Sequence, residues 1–287
     1  MRPRISFFLL PILVLAACAS TPPSAVPSAA PEQKLFAFRV GFWASLHHHL
    51  RAEAVRPTGT LDAAALPPEE RAAWEGALAV YKKSVVPRSY LFDEGMVALQ
   101  NSLAAAGEAP DLAPLRARFA ADVGAAEAIS ALERAAPVYR ARLWPGHQAA
   151  ARAWIAQTEP LVARHGMAIS ARLAALYGTV WPAEAVPVDV LPAAGDTGAY
   201  TTIEPTRVSV AASDPRHQGV RGLEIVFHEA SHGWDGTLER ALDAEAGRLG
   251  VTLPRQLWHA VLFYLAGEVV RLELERAGMP GYRPYID

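Results

Sequence analysis

Cysteine occurs once in the 287 residues, at Cys18, so no internal disulfide can hold the fold together. Positive charge is not in excess either: 27 Lys and Arg stand against 29 Asp and Glu, a formal net charge of −2, which disfavours a nucleic-acid partner. No fixed-period repeat runs through the chain, which sets aside the stacked-repeat architectures. The early apolar run ISFFLLPILVL is too short, and too interrupted by Pro11, to make a good membrane-spanning helix. What remains is a chain 52% apolar by residue, enough to bury at least one substantial core.

That apolar run follows the positive stretch MRPR and leads through small residues to Cys18, the n-region, h-region and cleavage flank of an export signal. Leu15-Ala16-Ala17-Cys18 closely resembles the lipobox of bacterial lipoproteins. The resemblance implies a signal peptide over residues 1–17, a lipid on Cys18 and attachment to a membrane through that lipid. Ala19, rather than Asp, after the cysteine implies the outer membrane, with the protein facing the periplasm of a bacterial envelope. A lipidated Cys18 leaves no free thiol for redox or nucleophilic chemistry. Residues 18–33 are rich in Pro, Ser and Ala and offer little to pack, which reads as a flexible tether. The folded domain then spans residues 34–287.

Within it, residues 34–180 show Ala-, Leu- and Arg-rich helical stretches broken by turn signals such as PTGT and GEAPD. Pro67-Pro68 before EERAAWEGALAVYKK marks a helix start, with acidic residues in the first turn and Lys82-Lys83 in the last. Residues 181–287 change texture. AYTTIEPTRVSVAAS reads as two or three short strands, RGLEIVFHEASH as a helix, and PRQLWHAVLFYLAGEVVRLELERAG as a long apolar helix closed by Gly278. The expected class is α+β, mostly helical, with a small sheet before the helix that carries FHEASHGWDG.

In that motif His228 and His232 stand four apart, so a helix points both imidazoles from one face at one metal ion. Glu229 beside them can act as general base on a water at the ion, a water that Zn2+ acidifies towards neutrality. Phe227 is expected in the core. His228, Glu229 and His232 resemble the HExxH of the zincin metallopeptidases, which implies zinc, hydrolysis of a peptide or similar amide, and a peptide or protein substrate. The longer metzincin pattern is contradicted by Asp235 and Leu238, and the Asp-ligand pattern by Arg240. What remains is gluzincin-like, with a carboxylate from a later helix as third ligand.

Glu239 lies too close after His232 for a second helix to turn back. Glu268, inside an apolar helical run, would be costly to bury unpaired, and Gly267 before it lets two helices approach. Its plainer reading is an ion pair with Arg271. His259, on the same helix, is the rival ligand. Residues nine apart on a straight helix point about 180° apart, so only one of the two can face the ion, and Glu268 is taken first. Tyr264, Tyr282 and Tyr285 are candidate donors to a developing oxyanion. Glu224, one turn before His228, is a candidate acceptor behind its ring. His47, His48 and His49 fan over about 200°, so at least one is expected to face solvent and one is a candidate for the cleft wall. The strand through Thr206–Ala211 is expected to be the edge that pairs with an extended substrate. The function expected is a zinc hydrolase of peptidase type. Two alternatives stand beside it: a non-catalytic envelope lipoprotein with a structural or vestigial metal site, and a metallo-amidase acting on a non-peptide substrate.

Overall fold

The structure, a computed structural model, describes residues 34–286. Residues 1–33, which hold the expected signal peptide, Cys18 and the expected tether, lie outside the described residues. Strand β1 (Phe36–Arg39) precedes helices α1 (Phe42–Val55), α2 (Pro68–Val80), α3 (Glu94–Ala106), α4 (Ala113–Arg118), α5 (Val123–Arg142) and α6 (Trp144–Tyr177). Strands β2 (Val186–Leu191), β3 (Ala199–Ile203) and β4 (Thr206–Ala211) follow, then helices α7 (Val220–Ser231), α8 (Asp235–Leu249) and α9 (Leu257–Arg276). The class is α+β and mostly helical. No helix among the described residues is long and apolar enough to cross a membrane.

Local chemistry sets the element ends. Pro68 opens α2 with Glu69 and Glu70 in its first turn, where a missing N–H costs nothing and the helix dipole favours negative charge. Lys82 and Lys83 follow in a single π turn, Tyr81–Val85. Asp93 and Asp122 cap α3 and α5 by accepting from Met96 N and Ala125 N. Arg88 bonds both capping carboxylates, joining the two helix starts.

The sheet is four-stranded in the order β1-β2-β4-β3. β1 pairs in parallel with β2, Phe36 opposite Val186, and β2 in parallel with β4. β3 alone is antiparallel, Thr201 opposite Val208, and it forms one edge of the sheet. Two expectations are corrected here. Residues 34–180 are not wholly helical, because FAFR is a strand whose partner lies beyond six helices. Thr206–Ala211 is not an edge, since β4 is paired on both sides. The free edge next to the motif helix is β3.

Alternation along the strands gives the sheet two different faces. Val188, Val190, Val208 and Val210 pack with Leu223, Val226 and Phe227 in one apolar cluster, against α6, α7 and α9. Phe227 is buried there against Phe36 and Trp181, as expected. The other face carries polar groups, including the buried ion pair of Asp189 with Arg207 at 2.7 Å. A second apolar cluster holds α1, α2, α3 and α5 together through Phe42, Leu46, Trp74, Leu99 and Ile129.

His47, His48 and His49 are all buried, which corrects the expectation that one meets solvent. Consecutive residues on a helix do fan out, but α1 has α2, α3, α5 and the sheet around it, so each direction meets protein. His47 Nδ1 bonds the Tyr81 hydroxyl at 2.9 Å. His48 bonds Ala44 O at 2.8 Å and the Tyr200 hydroxyl at 2.7 Å. The His49 ring packs among Trp74, Tyr139 and His147.

Candidate active site

Packing of α7 between α6, α9 and the sheet buries its apolar side and brings His228 and Glu229, themselves buried, to the β3 edge. His232 ends the helix at φ −58° and ψ −21°, still helical, before the chain tightens into a turn over His232–Trp234. The four-residue spacing therefore stacks the two imidazoles, their ring centroids 5.1 Å apart.

His259, in the first turn of α9, comes to both of them, its ring 5.5 Å from His228 and 5.1 Å from His232. One ring nitrogen from each of the three histidines lies within 4.8 Å of the others. Gly267 lets α9 and α7 close on each other: a Cβ there would stand 2.8 Å from Glu224 Oε1 and 2.7 Å from the Pro284 Cβ.

Glu268 is not brought into this cluster. Its carboxylate is gripped by Arg271, at 2.5 Å from Nη2 and 2.9 Å from Nε, and it is 29% exposed. Arg271 holds its pKa below the usual carboxylate range. The half-turn between the two positions decides the matter: once His259 faces α7, Glu268 faces away. The burial argument for Glu268 fails because the group is neither fully buried nor unpaired.

Desolvation by burial, with the neighbouring imidazoles adding to it, lowers the His228 pKa well below its ordinary value. Burial and His259 bring His232 down to about 4, and burial lowers His259. The three rings are thus held neutral with lone pairs available at one point, and His228 Nδ1 is buried without a hydrogen-bond partner. No fourth ligand joins them among the described residues. Three converging neutral nitrogens fit a zinc ion, which takes imidazole readily and in catalytic sites keeps three protein ligands.

Glu229 is buried, and desolvation raises its pKa to about 7 against the opposing hydrogen bond from Thr201. Thr201 Oγ1 lies 2.8 Å from both Glu229 Oε2 and the Glu229 main-chain oxygen. The edge strand thus fixes the carboxylate's rotamer.

Of the candidate tyrosines, Tyr264 is half-exposed on α9 and does not line the cleft. The Tyr282 hydroxyl donates to the buried carboxylate of Glu224, which also accepts from Tyr285 N at 3.2 Å. Glu224 therefore anchors the C-terminal segment, and it is not an acceptor for His228 Nδ1, which has no partner. Tyr285 alone of the three lines the cleft. Its hydroxyl donates to Arg216 O and sits 2.6 Å from His217 Nδ1.

His217, Thr201 and Phe263 carry no sequence signal that singles them out. His217 is buried and cradled under Gly198, whose φ of 82° and missing Cβ leave room for it: a Cβ would stand 2.8 Å from His217 Nε2. Phe263, one turn after His259, packs its ring edge-on to His228, centroids 4.2 Å apart. The histidines and Glu229 open into a cleft of about 1130 Å³, bounded on one side by α7, α9 and Tyr285 and on the other by α3 and the turn at Tyr90–Phe92. β3 lies between the two walls. None of His47, His48 and His49 reaches this cleft. Comparison of the chain with family models, with curated proteins and with solved structures found no match.

Proposed function

We propose that the protein is a zinc-dependent hydrolase of zincin-like type that cleaves peptides, with His228, His232 and His259 as ligands and Glu229 as general base. A third histidine takes the place of the carboxylate that the gluzincin-like pattern implied. The observation that carries the reading is the convergence of three neutral imidazoles beside a buried carboxylate at a free strand edge. Zn2+, when bound, supplies Lewis acidity that makes water acidic near neutral pH and polarises a carbonyl.

The chain's own groups supply the rest. Glu229 takes the proton of the attacking water and returns it to the leaving amine, and its burial raises the carboxylate's proton affinity, which favours the first of these steps. Thr201 keeps its carboxylate in place during the exchange. The Tyr285 hydroxyl, which lines the cleft beside His217, is the candidate donor for the developing oxyanion once its proton turns from Arg216 O into the cleft. The β3 edge offers main-chain hydrogen bonds to an extended chain. The lipobox-like N-terminus supports attachment to the bacterial outer membrane, facing the periplasm.

The test is zinc per chain together with hydrolysis of an unfolded protein substrate. Glu229→Gln is expected to keep the zinc and lose roughly 10²–10⁴-fold in rate, the usual size of a general acid–base contribution. His259→Ala is expected to lose the zinc and Glu268→Ala to keep it. Zinc retained with no hydrolysis by the wild type would favour a structural metal site, and hydrolysis confined to a non-peptide amide would favour the metallo-amidase reading.

A further inference from the structure

Leu91, Phe92 and Ile203 are 37%, 88% and 44% exposed, and all three line the one cleft. Large apolar side chains left in water together along a groove mark a binding surface. The turn that carries Phe92 is fixed by Ser89: Leu91 N and Phe92 N both donate to Ser89 Oγ, at 3.2 and 3.0 Å. Arg88, just before this turn, is bonded to Asp93 and Asp122. Val97 and Ala98 of α3 continue the same wall.

The hydroxyls of that wall and its neighbouring strand are engaged within the protein. Ser102 donates to Ala98 O at 2.7 Å, and the Thr202 hydroxyl donates to Asn101 Oδ1 at 3.3 Å. The charged side chains at its rim, Glu94, Glu204 and Arg118, are exposed and of both signs, so a charged ligand group gains little there.

Strand β3 relates this wall to the candidate catalytic groups. Thr201 turns towards α7 and bonds Glu229, whereas Tyr200 and Thr202 turn the other way, towards Gln100 and Asn101 of α3. A peptide laid along the β3 edge alternates in the same manner, so every second side chain meets the α3 wall. We propose that Leu91, Phe92, Val97 and Ala98 form a specificity subsite for a bulky apolar side chain of an extended peptide. The proposal rests on the reading of the cleft as a peptidase site.

Binding to Glu229→Gln tests the subsite without turnover. Labelled peptides of one length, Gly- and Ser-based with a single Leu, Phe, Ser, Lys or Asp, are titrated by fluorescence anisotropy, and the wild type is tested for cleavage of the same set. Leu and Phe peptides are expected to bind roughly tenfold or more tightly than the others. Added Phe92→Ser or Val97→Ser should bring that ratio close to one. Val123→Ser, which removes another apolar side chain, 70% exposed and outside the cleft, should leave it unchanged. No preference for apolar peptides, or a preference that survives Phe92→Ser, overturns the subsite. A Phe92-dependent preference in a protein that cleaves none of the set upholds the subsite and overturns the peptidase reading instead.

Discussion

Thr201 Oγ1 lies 2.8 Å from Glu229 Oε2, so the last strand of the sheet is tied to the motif helix at the one residue assigned to move a proton. Thr201→Val keeps the shape and removes the hydroxyl. The expected result is a fall in kcat of roughly tenfold with zinc content unchanged, about the rate cost of a 1.4 kcal/mol loss in the transition state, and Thr201→Ser should recover most of it. Steady-state kinetics on the three proteins decides; equal rates would remove Thr201 from the site.

The hydroxyls of Tyr285 and Tyr282 should separate function from stability. Tyr285→Phe removes the donor in the cleft and is expected to lower kcat by one to two orders of magnitude with KM little changed. Tyr282→Phe takes a donor from the buried Glu224 carboxylate and is expected to cost about 1–3 kcal/mol of stability. Its kcat should stay near that of the wild type. Urea unfolding and kinetics on both variants check the division.

Metal binding should appear as stability. A ligand at 100 times its Kd adds about 2.7 kcal/mol, which in a domain of this size raises Tm by roughly 5–10 °C. Zinc is expected to shift the wild type and Glu268→Ala by this amount and His259→Ala by much less, as read by differential scanning calorimetry with and without chelator.

Acid should weaken the helical layer through α1. Burial brings His48 and His49 from an ordinary 6.5 down to about 4, so the unfolded chain binds their protons first. The stability they contribute is complete above pH 6.5 and is lost as the pH falls towards 4. Each is expected to cost on the order of 2 kcal/mol between pH 6.5 and 5. His48→Gln should flatten the pH dependence of urea unfolding over that window, and an unchanged slope would contradict the assignment.

The motif helix, strands β3 and β4 and the long helix α9 were legible because each is a local pattern: four-residue spacing, alternation, an apolar run ended by glycine. The third histidine was not, since α9 is apolar on nearly every side and its sequence does not say which side meets α7. Glu268 comes first on sequence grounds because the gluzincin-like resemblance implies a carboxylate and an unpaired buried one is costly; the ion pair with Arg271, also legible three residues on, removes that cost. β1 was missed because four residues of strand carry little pattern, and the partner that makes them a strand is a distant segment. His47–His49 show the same limit, as the fan of a helix is fixed by geometry but what surrounds it is not.

The free edge of β3 has a second consequence, for association. An open strand edge is a template for any other strand, including the edge of another copy of the protein. Here the edge is five residues long, is followed by Pro205, and lies between the walls formed by α3 and by α7 with α9. Walls on both sides of the strand leave less room beside it for another folded sheet than for a single extended chain. The two walls thus oppose edge-to-edge pairing of copies of the protein, a cover that a bare sheet edge lacks.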